Sequence, residues 1–263
     1  MVYALLITLL AGLATSIGGL LATHKKVLDR PMLATSLAFA AGAMLFVSFV
    51  EILPLGLSMT GESNKIMEWW VYGAFFAGIA MVLVIDRILP KSLNPNEVEG
   101  GEDHLSITDR KTNKKLLRSG VLVALVLALH NFPEGMSTFL ASYQDVSVGI
   151  TLAVAIAIHN IPEGIAVAAP VYAATKSRKK AFWWATISGL AEPLGAVVAI
   201  VLLQFVVPME FTGLLFGFVA GMMVFVAIDE LLPAARRYQT DKHQVVYGLI
   251  AGFAVVALSL LLL

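Results

Sequence analysis

The chain has no cysteine. That excludes disulfides and thiolate metal centres, so a metal handled here must be held by nitrogen and oxygen donors, with a methionine thioether as the softest donor left. Charge is also scarce. Asp, Glu, Lys and Arg make up 14% of the residues and apolar types 59%, where soluble domains carry about 25% and about 45–50%. Mean hydropathy is +0.85. An ordinary soluble domain is excluded. Acidic and basic residues balance at 18 each, so no excess positive charge points to a nucleic-acid partner. The start, Met-Val-Tyr-Ala, lacks the basic residues of a cleaved signal peptide, and the first apolar run therefore reads as a retained helix.

What is there instead is a series of apolar runs of about twenty residues, each long enough to cross a bilayer core. Eight spans are predicted, at about 2–22, 33–56, 68–89, 117–141, 147–173, 181–206, 212–234 and 244–262. The expected fold class is an all-α integral membrane protein, a single transmembrane domain over 1–263 with a lipid bilayer as its surroundings. Basic residues set the orientation. Lys25, Lys26 and Arg30 follow the first span; Arg87, Lys91, Arg110, Lys111, Lys114, Lys115 and Arg118 surround the third connection. Lys176, Arg178, Lys179 and Lys180 lie in the fifth, and Arg236, Arg237 and Lys242 in the seventh. Only Lys65 falls on the other side. Odd-numbered connections are thus predicted to be cytoplasmic and both termini extracytoplasmic. The third connection, about 90–116, is polar and reads as a flexible cytoplasmic loop. Its His104, beside Glu102 and Asp103, is read as part of a solvated linker rather than a metal-capture spot.

The sequence repeats itself at a spacing of about 177 residues. Ala41-Gly-Ala-Met-Leu-Phe-Val-Ser-Phe-Val-Glu-Ile-Leu-Pro54 aligns with Ala220-Gly-Met-Met-Val-Phe-Val-Ala-Ile-Asp-Glu-Leu-Leu-Pro233, with eight of fourteen positions identical. Gly12–Gly18 resembles Gly189–Gly195, and Ala77–Ala80 resembles Ala251–Ala254. Spans one to three (about 1–89) therefore correspond to spans six to eight (about 181–263). An offset of five spans is odd, so the halves are expected to cross in opposite directions, as in the inverted repeats of secondary transporters. Spans four and five, about 117–173, lie between them as core helices.

Those two central spans carry His130-Asn-Phe-Pro-Glu-Gly135 and His159-Asn-Ile-Pro-Glu-Gly164. His and Glu four residues apart share one helix face; the adjoining Asn131 and Asn160 project about 100° away. Pro133 and Pro162 lack an N–H and free the carbonyls of Leu129 and Ile158. Glu192 in span six is also followed by proline, and its repeat counterpart is Thr15. Carboxylates at membrane depth cost several kcal/mol each and must take up a proton or a cation. Two histidines beside them favour a transition-metal dication, with Zn²⁺, Fe²⁺, Mn²⁺, Co²⁺ and Ni²⁺ all suited to imidazole plus carboxylate. A proton relay without metal would not need the amides, which do not titrate. Glu51 lies near the outer end of span two, and Asp229 and Glu230 near the cytoplasmic end of span seven; the repeat counterparts Glu51 and Glu230 are read as entrance and exit cation funnels or as interfacial charges. Asp86-Arg87 reads as an interfacial ion pair.

These motifs resemble the ZIP (zinc- and iron-regulated transporter-like) family, and within it the bacterial ZupT-type members. The resemblance runs over essentially the whole chain. It implies a 3+2+3 arrangement of eight helices in the cell (inner) membrane, with a transport site shared by spans two, four, five and six. It implies two adjoining metal positions. One would use His130, Glu134, His159 and Glu163, with Met44 as a further thioether; the other Asn131, Glu134, Asn160, Glu163 and Glu192. It further implies an elevator-like motion and a possible homodimer. The chain has no histidine-rich loop of the kind many eukaryotic relatives carry. The expected function is uptake of divalent transition metals such as zinc, with iron, manganese, cobalt and cadmium as further candidates. The bound ion is cargo, and no prosthetic group is expected. Glu134, Glu163 and Glu192 sum formally to −3, which leaves open one dication with a proton or two dications. An intramembrane metal-dependent hydrolase is the alternative; the absence of an H-E-x-x-H pattern argues against it.

Overall fold

The computed structural model describes residues 1–60, 65–88, 110–204 and 209–262. All regular structure among the described residues is helical. Eight long helices follow in order: α1 (Val2–Leu21), α2 (Arg30–Ser58), α3 (Lys65–Ile88), α4 (Arg110–Gln144), α5 (Val146–Thr175), α6 (Arg178–Gly189 and, beyond a break at Leu190, Ala191–Gln204), α7 (Met209–Phe225, Val226–Leu231 and Leu232–Tyr238) and α8 (Gln244–Leu262). All but α4 meet length and composition requirements for crossing a membrane. Large apolar side chains such as Leu10, Trp69, Trp70, Phe76, Tyr247 and Leu258 face outward, which in water would be a liability and in lipid is the expected surface.

The predicted boundaries differ from the observed ones in three places, each with a local cause. First, α4 starts at Arg110, inside the segment expected to be loop. Its 35 residues make a rod of about 52 Å, so its basic first turns extend the helix past a bilayer core. The rest of that expected loop, with His104, lies outside the described residues. Second, the sixth span is broken at Leu190. Pro193 has no N–H to give the Gly189 carbonyl, and the ladder restarts at Ala191. Third, α2 and α7 each contain a turn of π-helix, Ser48–Ile52 and Val226–Leu231. These are aligned positions of the repeated segment, and each turn is followed by the aligned prolines Pro54 and Pro233. A proline leaves one carbonyl unpaired and crowds it; widening the preceding turn to i→i+5 absorbs the extra residue.

Packing sorts the helices into two groups. α1 packs on α5, α5 on α4, α4 on the second part of α6, and the first part of α6 on both α1 and α5. In the other group, α2 packs on α8, α3 on α7, and the ends of α2 and α7 on each other and on their partners. Contacts of α2 with α5 and of α4 with α7 join the groups. Glycines make the close approaches possible, because a side-chain carbon at these positions would strike a neighbouring carbonyl. They do so in aligned pairs. Gly42 lies on the Leu249 carbonyl and Gly221 on that of Phe75; Gly78 lies on the Phe218 carbonyl and Gly252 on that of Phe39. In the other group Gly18 lies on the Ile161 carbonyl and Gly195 on that of Phe132, the equivalent residues of the two motifs.

Candidate metal site

α4 and α5 reverse direction at Asp145, whose carboxylate accepts hydrogen bonds from the backbone N–H groups of Ser147 (2.8 Å) and Val148 (3.2 Å) and caps α5. Gly149 then rests against Ser142. This clamp holds the two HNxPEG segments side by side. Within each segment His and Glu share a face, but each histidine meets the glutamate of the other helix. His130 Nε2 is 3.4 Å from Glu163 Oε1, and His159 Nε2 is 3.0 Å from Glu134 Oε1. All four side chains are buried, and among the described residues these are the ion pairs that the two glutamates make.

His159 shows what this geometry asks for. Its Nδ1 sits 3.1 Å from the Ala155 carbonyl. A carbonyl only accepts, so Nδ1 carries the proton, and in a neutral ring Nε2 is then a lone pair. That lone pair faces a carboxylate oxygen, which is also an acceptor. Only a proton or a metal cation between them satisfies both.

The amides fix the two helices to α1 and α6. Asn160 Nδ2 donates to the Ala11 carbonyl at 3.0 Å and to Glu192 Oε1 at 2.5 Å. Asn131 Nδ2 donates to the Ser188 carbonyl at 3.5 Å. Ala11 and Ser188 occupy aligned positions in the repeat. With the amide N–H groups engaged, the amide oxygens are left as donors to a cation. Glu192 lies in the first turn after the break at Leu190, where the helix N-terminus favours a negative charge. Gly135 lets the Glu192 backbone approach α4.

Buried polar atoms lacking a hydrogen-bond partner mark the site more sharply than any distance. Among the described residues they are His130 Nδ1, Asn131 Oδ1, Glu134 Oε2, Asn160 Oδ1, Glu163 Oε2, Glu192 Oε2 and the hydroxyls of Thr15, Ser16 and Ser188. Buried polar groups are otherwise almost always paired. Every one lies on α1, α4, α5 or α6, and six are lone-pair donors of the residues expected as ligands. The arrangement stops short of a finished cage, since among the described residues no three His, Asp or Glu side chains converge in ligating geometry. Met44 is fully buried on α2, the helix that packs on α5. Glu51 and Glu230 are half-buried on the two π turns and Asp229 is exposed. Ser16, Ser188 and the Ala11 and Ser188 carbonyls carry no ionisable group that would mark them in the sequence. The repeat alignment was the available signal for the carbonyls.

Comparison with known proteins agrees with this chemistry. The family model described as ZIP Zinc transporter matches residues 94–260. The zinc transporter ZupT of Corynebacterium aurimucosum is 49% identical over 265 residues, covering 99% of this chain and 97% of that protein. The protein of the same name from Corynebacterium glutamicum is 50% identical over 268 residues, covering 100% and 99%. The one from Streptococcus mutans is 44% identical over 261 residues, covering 98% and 97%. Likeness at this level over the full length, joined to crossed His–Glu pairs inside a helical membrane bundle, means that the chain belongs to the ZIP family and is a multi-pass metal-ion transporter, not an enzyme.

Proposed function

We propose that the protein takes up divalent transition-metal ions, zinc first among them, across the cell membrane toward the cytoplasm. The cargo binds between α4, α5 and α6 at His130, Asn131, Glu134, His159, Asn160, Glu163 and Glu192, with Met44 reaching it from α2. The observation that carries this reading is the set of unpartnered buried lone pairs on six of these side chains. Dications at the two adjoining positions would draw ligands from this set as the side chains close on them, and would relieve the carboxylates of one another's charge. Nitrogen and oxygen donors without thiolate hold a metal less tightly than a cysteine site would, which suits release and admits iron, manganese, cobalt or cadmium beside zinc.

The 3+2+3 inverted repeat with both termini outside belongs to the same proposal. The paired glycine contacts support it, since aligned residues of the two halves meet equivalent carbonyls. So does the basic bias of the odd-numbered connections. The motion that fits is elevator-like: α1, α4, α5 and α6 carry the cargo and slide against α2, α3, α7 and α8. Zinc flux into proteoliposomes holding only this protein tests the whole reading. Glu134→Ala removes the partner of His159, and loss of flux from a folded variant is the expected result. Near-normal flux from that variant would sink the assignment.

A further inference from the structure

Thr15 and Glu192 occupy aligned positions in the two halves of the sequence, and their surroundings match. The Glu192 backbone rests on Gly135 of α4, and the Thr15 backbone rests on Gly164 of α5. Gly12 and Gly189, themselves aligned, meet each other's carbonyls at the centre; a side chain on Gly12 would reach Glu192, and one on Gly189 would reach the Thr15 hydroxyl. On one side, Asn160 spans the Ala11 carbonyl and the Glu192 carboxylate. On the other, Asn131 reaches the Ser188 carbonyl, and the place equivalent to the carboxylate falls to Thr15. Its hydroxyl is fully buried, and neither it nor Asn131 Oδ1 has a hydrogen-bond partner.

We propose that Thr15 is a selectivity-setting position of the transport site: its hydroxyl is the neutral oxygen donor of the Asn131 half, and its lack of charge holds the site at three carboxylates. The inference rests on the metal-site reading above. A hydroxyl oxygen offers lone pairs to a cation without adding charge. With Glu134, Glu163 and Glu192 the formal charge is −3, and one dication leaves −1. An acid at position 15 would make it −4 and leave −2, so the ion would be held more tightly and released more slowly.

The test is zinc and cadmium flux in proteoliposomes, with equilibrium zinc binding to purified protein in detergent. Thr15→Val keeps the shape and removes the oxygen. It should raise the zinc KM about tenfold, the scale of one lost contact to a charge, with maximal flux little changed. It should also shift preference toward cadmium, the softer ion that depends less on oxygen donors. Thr15→Ser should restore both values. Thr15→Asp should bind zinc more tightly and lower maximal flux. Wild-type KM and wild-type zinc-to-cadmium ratio in Thr15→Val would overturn the inference, as would failure of Thr15→Ser to restore them. If Thr15→Val does not fold, Thr15→Ala against Thr15→Ser makes the same comparison. Glu134→Gln measured in parallel separates the two levels: retained flux there defeats the site itself, whereas lost flux there with an unaltered Thr15→Val defeats only the role of Thr15.

Discussion

The repeated sequence contributes α1 and α6 to one helix group and α2, α3, α7 and α8 to the other, and the two groups differ in the polar atoms they bury. α1, α4, α5 and α6 enclose all of the unpartnered buried polar side-chain atoms among the described residues. α2, α3, α7 and α8 enclose Met44, Ile52, Phe216, Met222 and Met223, with ring contacts such as Phe46–Phe253 and Phe49–Phe75. Each unpaired buried polar group costs about 1–3 kcal/mol. The nine such atoms on the first four helices are the ones the proposed cargo would satisfy, while the other four helices join through close packing and partnered hydrogen bonds such as Gln244 to the Pro31 carbonyl. In the proposed elevator-like motion the first group is the carrier and the second the frame, and the glycine–carbonyl contacts run through both.

The largest effect expected from this contrast comes from neutralising acids on its two sides. Glu163→Gln removes the charge of a buried pair with His130, and Glu192→Gln removes the charge that Asn160 donates to. Disrupting a buried charged contact costs roughly 3–5 kcal/mol, so each should lower zinc flux by about two orders of magnitude or more. Glu51→Gln and Glu230→Gln, half-buried on the π turns and outside the crossed His–Glu pairs, should lower flux by less than about tenfold, mainly through KM, since neither breaks a fully buried ion pair. Equal losses from all four variants, read as isotope uptake per folded molecule, would erase the distinction.

A smaller effect is expected from filling the close contacts. Gly42→Val in α2 and Gly164→Val in α5 both place side-chain atoms against a backbone carbonyl, and overpacking of this kind costs about 1–3 kcal/mol. Both should lower the unfolding temperature in detergent. Only Gly164→Val should also reduce flux per folded molecule by severalfold, because it separates α5 from Thr15 and α1. Equal flux defects at both positions would mean that the frame carries cargo chemistry as well.

Much of this contrast is legible in the sequence, and what is not has physical reasons. His130, Glu134, His159 and Glu163 stand out because ionisable groups in apolar runs are costly, and the span count follows from run length and basic residues. The crossed pairing does not: four-residue spacing places His and Glu on one face but does not say that each will meet the other helix. The break at Leu190 and the π turns come from how Pro193, Pro54 and Pro233 settle against neighbours, which a local pattern does not determine. The frame is hidden for a similar reason. α3 packs on α7 and α8 on α2, exchanges between the halves decided by glycine–carbonyl contacts far apart in the chain. Thr15 was visible as the counterpart of Glu192, but its buried, unpartnered hydroxyl was not.

The finest test uses two aligned methionines, Met44 and Met223, both fully buried. They occupy the same position of the repeat, on α2, which packs on α5, and on α7, which packs on α4. If the frame were only a frame, Met44→Leu and Met223→Leu would be equivalent swaps of similar volume, each costing less than about 1.5 kcal/mol. The site proposed here makes them unequal. In that proposal the Met44 thioether is a soft donor to the cargo, so Met44→Leu should weaken cadmium transport about threefold relative to zinc, since the softer metal gains more from sulfur. Met223→Leu should leave the ratio unchanged. Competition between the two metals for uptake measures the ratio without depending on expression level. An unchanged ratio in Met44→Leu would place that residue with Met223 as packing and leave the site to the α4, α5 and α6 ligands.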